Sequence, residues 1–328
     1  MEFFINISLL SLLLVTTLGI ILSRDLLAVI MLSGIYGFLS ASFFVLMDAV
    51  DVAFTEAAVG SGISPLLMLL TVALVGRNEK HESGKSIPAL VLVTITGALL
   101  IIGTLSMPEF GSATAPAQTH VGPHYIEKSG SEIGIPNIVT SVLASYRGFD
   151  TFGEVAVVFT AGIGVLSLLM LKSSTVQKPV VTSAHKHKVL RIVSKILIPP
   201  ILLFALYVQF HGDYGPGGGF QAGVIFAAAI ILYTMFFGVD IAQQVVSFAV
   251  LRVLAAFGVL LYGSVGLVSM LNGGDFLDYS ALAENPITGQ HIGIIVIELG
   301  VGITVAAIMV MIFYCFASQV NDTGEAGQ

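Results

Sequence analysis

Apolar runs long enough to cross a bilayer recur along this chain, and no other feature constrains its fold as much. A membrane-spanning helix needs about 17–25 predominantly apolar residues. Runs of that kind occupy 3–22, 26–47, 51–74, 88–106, 154–171, 192–211, 220–238, 247–270 and 291–316. In hydrocarbon each backbone amide must be satisfied internally, so these runs must be helices. The spacing predicts an all-α, polytopic integral membrane protein of about nine transmembrane helices. At 56% hydrophobic and 10% charged residues over 328 positions, an ordinary soluble domain is excluded. A shorter apolar stretch at 137–146 is expected to lie along the interface or pack as a partial helix.

The basic residues predict orientation. One set of alternate loops holds Arg24, Arg77, Lys80, Lys85, Lys172, Lys178, Lys186, Lys188, Arg191, Lys195 and Arg252. The other set holds Lys128 and Arg147, so eleven of the 13 lie on one side. Basic loops stay cytoplasmic, which predicts the N-terminus outside and the C-terminus inside. A net charge of −7, with its cations in short loops, offers no nucleic-acid surface. Met1-Glu2 brings no basic side chain before the first run, so a cleavable signal peptide is not expected. Cys315 is the single cysteine, which excludes an intramolecular disulfide or a thiolate cluster.

Composition divides the chain into a three-helix region at 1–80 and a two-helix region at 81–172 with an outer loop at 107–136. A basic cytoplasmic linker at 173–191, a four-helix region at 192–318 and a tail at 319–328 follow. Between two spans of the four-helix region lies His211-Gly-Asp-Tyr-Gly-Pro-Gly-Gly-Gly-Phe-Gln-Ala-Gly223. No helix continues through Pro216, Gly217, Gly218 and Gly219, because Gly is costly in a helix and Pro lacks the amide donor. Beyond it Gly219, Gly223 and Ala227 recur every four residues, a smooth strip on which another backbone can pack closely. By itself this is a tight hairpin followed by a packing face.

Together with Lys195-Ile-Leu-Ile-Pro-Pro200, however, the loop resembles the B subunit of multisubunit sodium/proton antiporters of the Mrp or Mnh type. That resemblance covers roughly 186–318. Two further stretches resemble other parts of such complexes. Asp51-Val-Ala-Phe-Thr-Glu-Ala-Ala-Val-Gly60 is similar to a motif in the C-terminal extension of the antiporter A subunit and in the D subunit of membrane-bound hydrogenases. Tyr146-Arg-Gly-Phe-Asp-Thr-Phe-Gly-Glu154 is similar to the E-subunit portion that follows. The chain thus resembles a fusion of D-, E- and B-like pieces that lacks the long antiporter-like body of the A subunit.

Four acids are candidates for an ion path. Glu56 lies about 7–8 Å along the third span from Asp51, and a carboxylate in hydrocarbon normally faces a cavity or a partner. Farther along, Pro65 gives up its amide bond to the Ser61 carbonyl, so a local bulge is expected near the acid. Asp51 sits at the outer mouth, where the resembling motif favours an entry role. Glu154 has two readings: with Thr151 it fits a capping box at a helix start, and such an acid at a membrane mouth also collects cations. Arg147 and Asp150 are expected to pair at the surface. Glu298, about seven residues and roughly 10 Å into the last span, serves either a polar cavity or another subunit, with His291 two turns back. His211 and Asp213 flank the loop, His211 reading as a hydrogen-bonding strut. His185-Lys-His-Lys188 reads as a basic anchor and not as a metal site.

The resemblance implies a non-catalytic subunit of a monovalent cation (Na+)/proton antiporter in the plasma (inner) membrane of a prokaryote. It implies other antiporter subunits as partners, including large antiporter-like A/D-type subunits and small membrane subunits, besides membrane lipid. No cofactor is expected beyond transported Na+ and H+, and no nucleic acid. The alternative is an ion-translocating subunit of a membrane-bound hydrogenase or a complex-I-like redox-driven pump.

Overall fold

The computed structural model describes residues 2–79, 86–109, 111–169 and 188–325. Among them nine helices are long and apolar enough to cross a membrane. The first two, α1 (Glu2–Leu22) and α2 (Leu26–Leu46), form a hairpin. The third span is α3 (Val50–Ala58), a π-helical turn (Val59–Ile63) and α4 (Ser64–Val75). This is the bulge expected from Pro65, which starts α4 where its missing amide leaves the ladder incomplete. Arg77 clamps the α1–α2 turn by donating from Nε to Asp25 Oδ1 at 2.9 Å, and its hydrogen bonds hold the Asp25 carboxyl below the usual range.

The fourth span, α5 (Ser86–Thr104), buries none of its apolar window, as expected of a helix whose surroundings are lipid. A second π turn (Ala117–Val121) and α6 (Gly122–Glu132) follow, then the short α7 (Ile138–Thr140) running into a third π turn (Ser141–Tyr146). The 137–146 stretch is therefore a packed partial helix. The fifth span, α8 (Gly148–Leu169), begins six residues earlier than hydropathy alone suggests. Arg147 and Asp150 pair at 2.5 Å with both side chains more than half exposed, so the pair is a surface feature.

The last four spans are α9 (Lys188–His211), α10 (Gly219–Phe237), α12 (Phe248–Leu271) and α13 (Pro286–Glu325), with the short α11 (Val239–Val245) before α12. α13 is the axis of the protein and packs against α8, α10 and α12. The small-residue strip of α10 meets it as anticipated. A Cβ on Gly223 would lie 2.7 Å from the Gly302 carbonyl oxygen, and Ala227 is fully buried. α12 approaches α13 in the same way, Gly258 against Gly300, so two seams of bare backbone hold this core.

Lys80, Lys85, Lys172, Lys178, Lys186, His185 and His187, and with them most of the expected linker at 173–191, lie outside the described residues.

Candidate functional site

At one end of the bundle the starts of α3, α8, α10 and α13 converge. Their connections alternate across the membrane, so four odd-numbered spans begin on the same side. Between them lies a cavity of about 220 Å³, lined by Asp51, Thr55, Thr140, Thr151, Glu154, Gln221 and Glu298 and by the backbone of Gly217, Gly218 and Gly219. Three of the four acids singled out from the sequence meet here, although they lie far apart along the chain.

The glycine loop forms one wall. Gly218 has φ +118°, a conformation side chains disfavour, and it turns the chain into α10 with no side-chain cap. Bare backbone also lets an acid come close: a Cβ on Gly218 or Gly212 would lie 3.1 or 3.2 Å from Glu298 Oε1. Gly217 donates its amide to Asp51 Oδ1 at 3.3 Å, and Gln221 Nε2 donates to Thr55 Oγ1 at 2.9 Å. Thus α3 is stitched to the loop and to the first turn of α10. The Glu298 carboxylate is near enough to those of Asp213 and Asp51 to be repelled by both.

The loop is held from behind by the partial helix. Asn137 Nδ2 donates to the Gly212 and Gly215 carbonyls at 3.1 and 3.0 Å, and Thr140 Oγ1 donates to Gly212 O at 2.6 Å. The buried Asp213 faces His291, Nδ1 to Oδ2 3.5 Å. Burial pushes the Asp213 carboxyl above the ordinary range, and His291 pulls it part of the way back. His211 stacks on Tyr207 with ring centroids 4.9 Å apart and packs beneath Gly215.

One expectation needs correction. Thr151 and Glu154 form no capping box, because α8 starts at Gly148 and both residues are already helical. The Thr151 hydroxyl instead donates to the Leu143 carbonyl at 2.7 Å, tying α8 to the third π turn, and Glu154 is exposed at the cavity rim. Glu298 lies twelve residues from the start of α13 at Pro286, about 18 Å along the axis, level with Gly212 and Gly218 at the end of α9 and the start of α10. His291, on the same helix, serves Asp213.

Glu56 does not line the cavity. Its carboxylate folds back over Gly60 inside the π turn, beside the point where Gly37 of α2 packs on the Gly60 backbone. Thr55, Asn137, Thr140 and Gln221 are site residues that the sequence alone does not single out. A polar residue one turn from Asp51 and an amide directly after the glycine run are the signals that could have found two of them. Among the described residues no group of three metal-ligating side chains is suited to hold a metal ion.

The protein families that match follow one another along the chain. The family of the MBH D subunit covers residues 11–77, and that of the MBH E subunit covers 90–183. The "Domain related to MnhB subunit of Na+/H+ antiporter" covers 189–311. A protein of Rhizobium meliloti (strain 1021), named as a probable K(+)/H(+) antiporter A/B subunit, is 26% identical over 89% of this chain and 32% of its own length. The antiporter protein mnhB2 of Staphylococcus aureus (strain Newman) is 35% identical over 38% of this chain and 89% of its own length. The fold is that of a chain in the Mrp complex from Dietzia sp. DQ12-45-1b, with TM-score 0.76, 24% identity, and 94% of this chain but 34% of that one covered. A chain of the archaeal membrane-bound sulfane sulfur reductase superposes with TM-score 0.55 and 29% identity over 71% of this chain and 98% of that one. The chain thus spans about a third of the length of the Rhizobium A/B protein and of the Mrp chain. With a B subunit covered almost end to end at this identity, the chain belongs to the Mrp-type antiporter B-subunit family, fused at its front to the part that corresponds to the end of the A subunit.

Proposed function

We propose that the chain is a non-catalytic membrane subunit of a multisubunit monovalent cation/proton antiporter, and that the cavity is the mouth of an ion path through it. The observation that carries this is the convergence of Asp51, Glu154 and Glu298 on one polar cavity, each from a different family-matched segment. Carboxylates held together at the end of a helix bundle are expensive unless a cation or proton is shared among them. The partners are the large antiporter-like subunits and small membrane subunits, in keeping with the match to the antiporter B-subunit family. The complex sits in the plasma membrane of a prokaryote with the cavity facing out and the C-terminus inside. Glu56 and the π turn lie deeper along α3 and form the next step of the path.

Glu298→Gln in the assembled complex tests the reading. Gln keeps the size and much of the hydrogen bonding but releases no proton. Sodium-dependent collapse of a pH gradient in inverted vesicles should fall at least tenfold with complex recovery unchanged, and Glu56→Gln should do the same. Normal exchange by Glu298→Gln would remove the cavity from the path. Lost assembly would make Glu298 a structural acid.

A second reading has its own support, the match to the MBH families and the overlay on a chain of a respiratory complex. In it the same subunit serves a redox-driven pump. Purification of the tagged chain separates the two, because a redox-driven assembly brings iron–sulfur proteins with it and an antiporter does not.

A further inference from the structure

We propose that Tyr262, which does not line the cavity, is a positioning residue for the Glu154 carboxylate and so sets how tightly the cavity holds a cation. The inference rests on the reading of that cavity as a cation site. Tyr262 lies in the middle of α12 and is fully buried. Its hydroxyl donates at 2.7 Å to the carbonyl of Gly148, the first residue of α8. Its ring packs against Phe152, one turn farther along the same helix, with centroids 5.1 Å apart. One side chain thus fixes α8 at two points, and Glu154 follows two residues after the second. Six residues of unbroken helix, about 9 Å, separate Gly148 from Glu154, so a shift at the start is carried to the acid. The charges of Glu154 and Glu298 both reach the Tyr262 hydroxyl, which stands behind the cavity lining.

A neighbouring tyrosine separates the part played by the hydroxyl from that of the ring. Tyr279 is also fully buried, with its ring against the bare backbone of Gly293. Its hydroxyl lies beside that of Tyr262 but makes no hydrogen bond among the described residues. Both hydroxyls face Gly148, where a Cβ would stand 3.0 Å from Tyr279 Oη and 3.7 Å from Tyr262 Oη. Bare backbone at Gly148 therefore lets α8 settle against both rings, while Tyr262 alone of the two holds it. Thr151 ties the same end of α8 to its own segment through Leu143. Tyr262 ties it instead to the packed pair of α12 and α13, and α13 carries Glu298. The spacing of the two acids is set across that joint.

The test reads Glu154 itself in the purified complex. Because Glu154 is exposed, a water-soluble carbodiimide with an amine nucleophile should modify it, and mass spectrometry follows the rate with and without sodium chloride. Sodium should protect the acid. Tyr262→Phe keeps the ring and loses only the bond. It should change the sodium-free rate and raise the half-protecting sodium concentration about 2- to 12-fold, the weight of one hydrogen bond. Gly148→Ala, pressing on Tyr279 Oη, should act in the same direction. Adding Tyr279→Phe should restore wild-type values, since the ring atom Cζ then lies 3.9 Å from that Cβ. Tyr279→Phe alone should leave both readings unchanged. So should Tyr314→Phe, which removes an equally buried hydroxyl bonded to Val246 O and not to α8. An unaltered rate and half-protecting concentration in Tyr262→Phe would overturn the inference, as would an equal effect of Tyr279→Phe alone. Sodium that protects Glu154 in no variant would refute the cation reading of the cavity, and the sodium-free rates would then decide whether Tyr262 places the acid. If Tyr262→Phe fails to assemble, Gly148→Ala and its rescue decide, and an absent rescue overturns the inference.

Discussion

Asn137 is a single residue on which the glycine loop depends, and removing its side chain gives a local prediction of definite size. In Asn137→Ala the backbone bond from residue 137 to Asp213 O at 3.0 Å survives. Lost are the two bonds to the Gly212 and Gly215 carbonyls and the Oδ1 cap on the Val139 amide. Gly212 O keeps Thr140, but Gly215 O loses the Asn137 side chain as its partner. Each loop bond is worth about 0.5–1.5 kcal/mol net, so the loop should open more easily by about 1–3 kcal/mol, roughly 5- to 150-fold. Hydrogen exchange reads this directly. The Gly215 and Gly218 amides, bonded to His211 O and Val208 O, should exchange faster by that factor, while peptides from the middle of α12 keep their protection. Adding Thr140→Val strips Gly212 O of its last side-chain donor, so the double variant should exceed the sum of the single ones. Unchanged exchange at Gly215 and Gly218, or a uniform rise over the whole chain, would refute the clamp.

Two further outcomes follow from the packing and the topology. Gly223→Leu should lower the melting temperature of the complex in detergent, because its Cβ alone would stand 2.9 Å from Val305 Cβ and force α10 from α13 at about 1–3 kcal/mol. Gly97→Leu on α5, with nothing within 4 Å of its Cβ, should change nothing, and equal effects at the two sites would contradict the backbone seam. Tyr214 is 70% exposed at the tip of the glycine loop, so Tyr214→Cys should react with an impermeant maleimide added to intact cells. Cys315 is buried and silent, and labelling only from the cytoplasmic face would reverse the orientation.

Hydropathy made the nine spans legible, since burying about 20 apolar residues in lipid leaves the backbone no alternative to a helix. The loop at Pro216–Gly219 and the bulge before Pro65 were legible for a similar reason, because both come from residues that cannot continue a helix. Helix starts were not. α8 and α13 begin five or six residues before their hydrophobic runs do, since polar residues at a helix end are satisfied by neighbouring backbone that hydropathy does not register. That error turned Glu154 into a cap. Asn137 and Thr140 were hidden for a different reason: their partners lie some 75 residues away, and nothing local distinguishes an amide that holds a loop from one that meets water.

The cavity also gives a physical reason for three segments to share one chain. Asp51 and Thr55 come from the D-like part. Thr140, Thr151 and Glu154 come from the E-like part, and the glycine loop and Glu298 from the B-like part. None of the three encloses the cavity alone. Besides the packing of α8 and α4 against α13, hydrogen bonds join them, among them Gly217 to Asp51, Gln221 to Thr55, the Asn137 clamp, Thr140 to Gly212 O, and Tyr262 donating to Gly148 O at 2.7 Å. Each is worth on the order of 1 kcal/mol, against an association cost of at least about 4 kcal/mol between separate chains. Linking the pieces makes these contacts intramolecular and raises their effective concentration without any new contact. On the proposed reading the cation completes the joint. Asp51 of the D-like part and Glu298 of the B-like part repel each other, and a cation held between them draws the two segments together, so occupancy at the mouth and closure between those segments are one equilibrium.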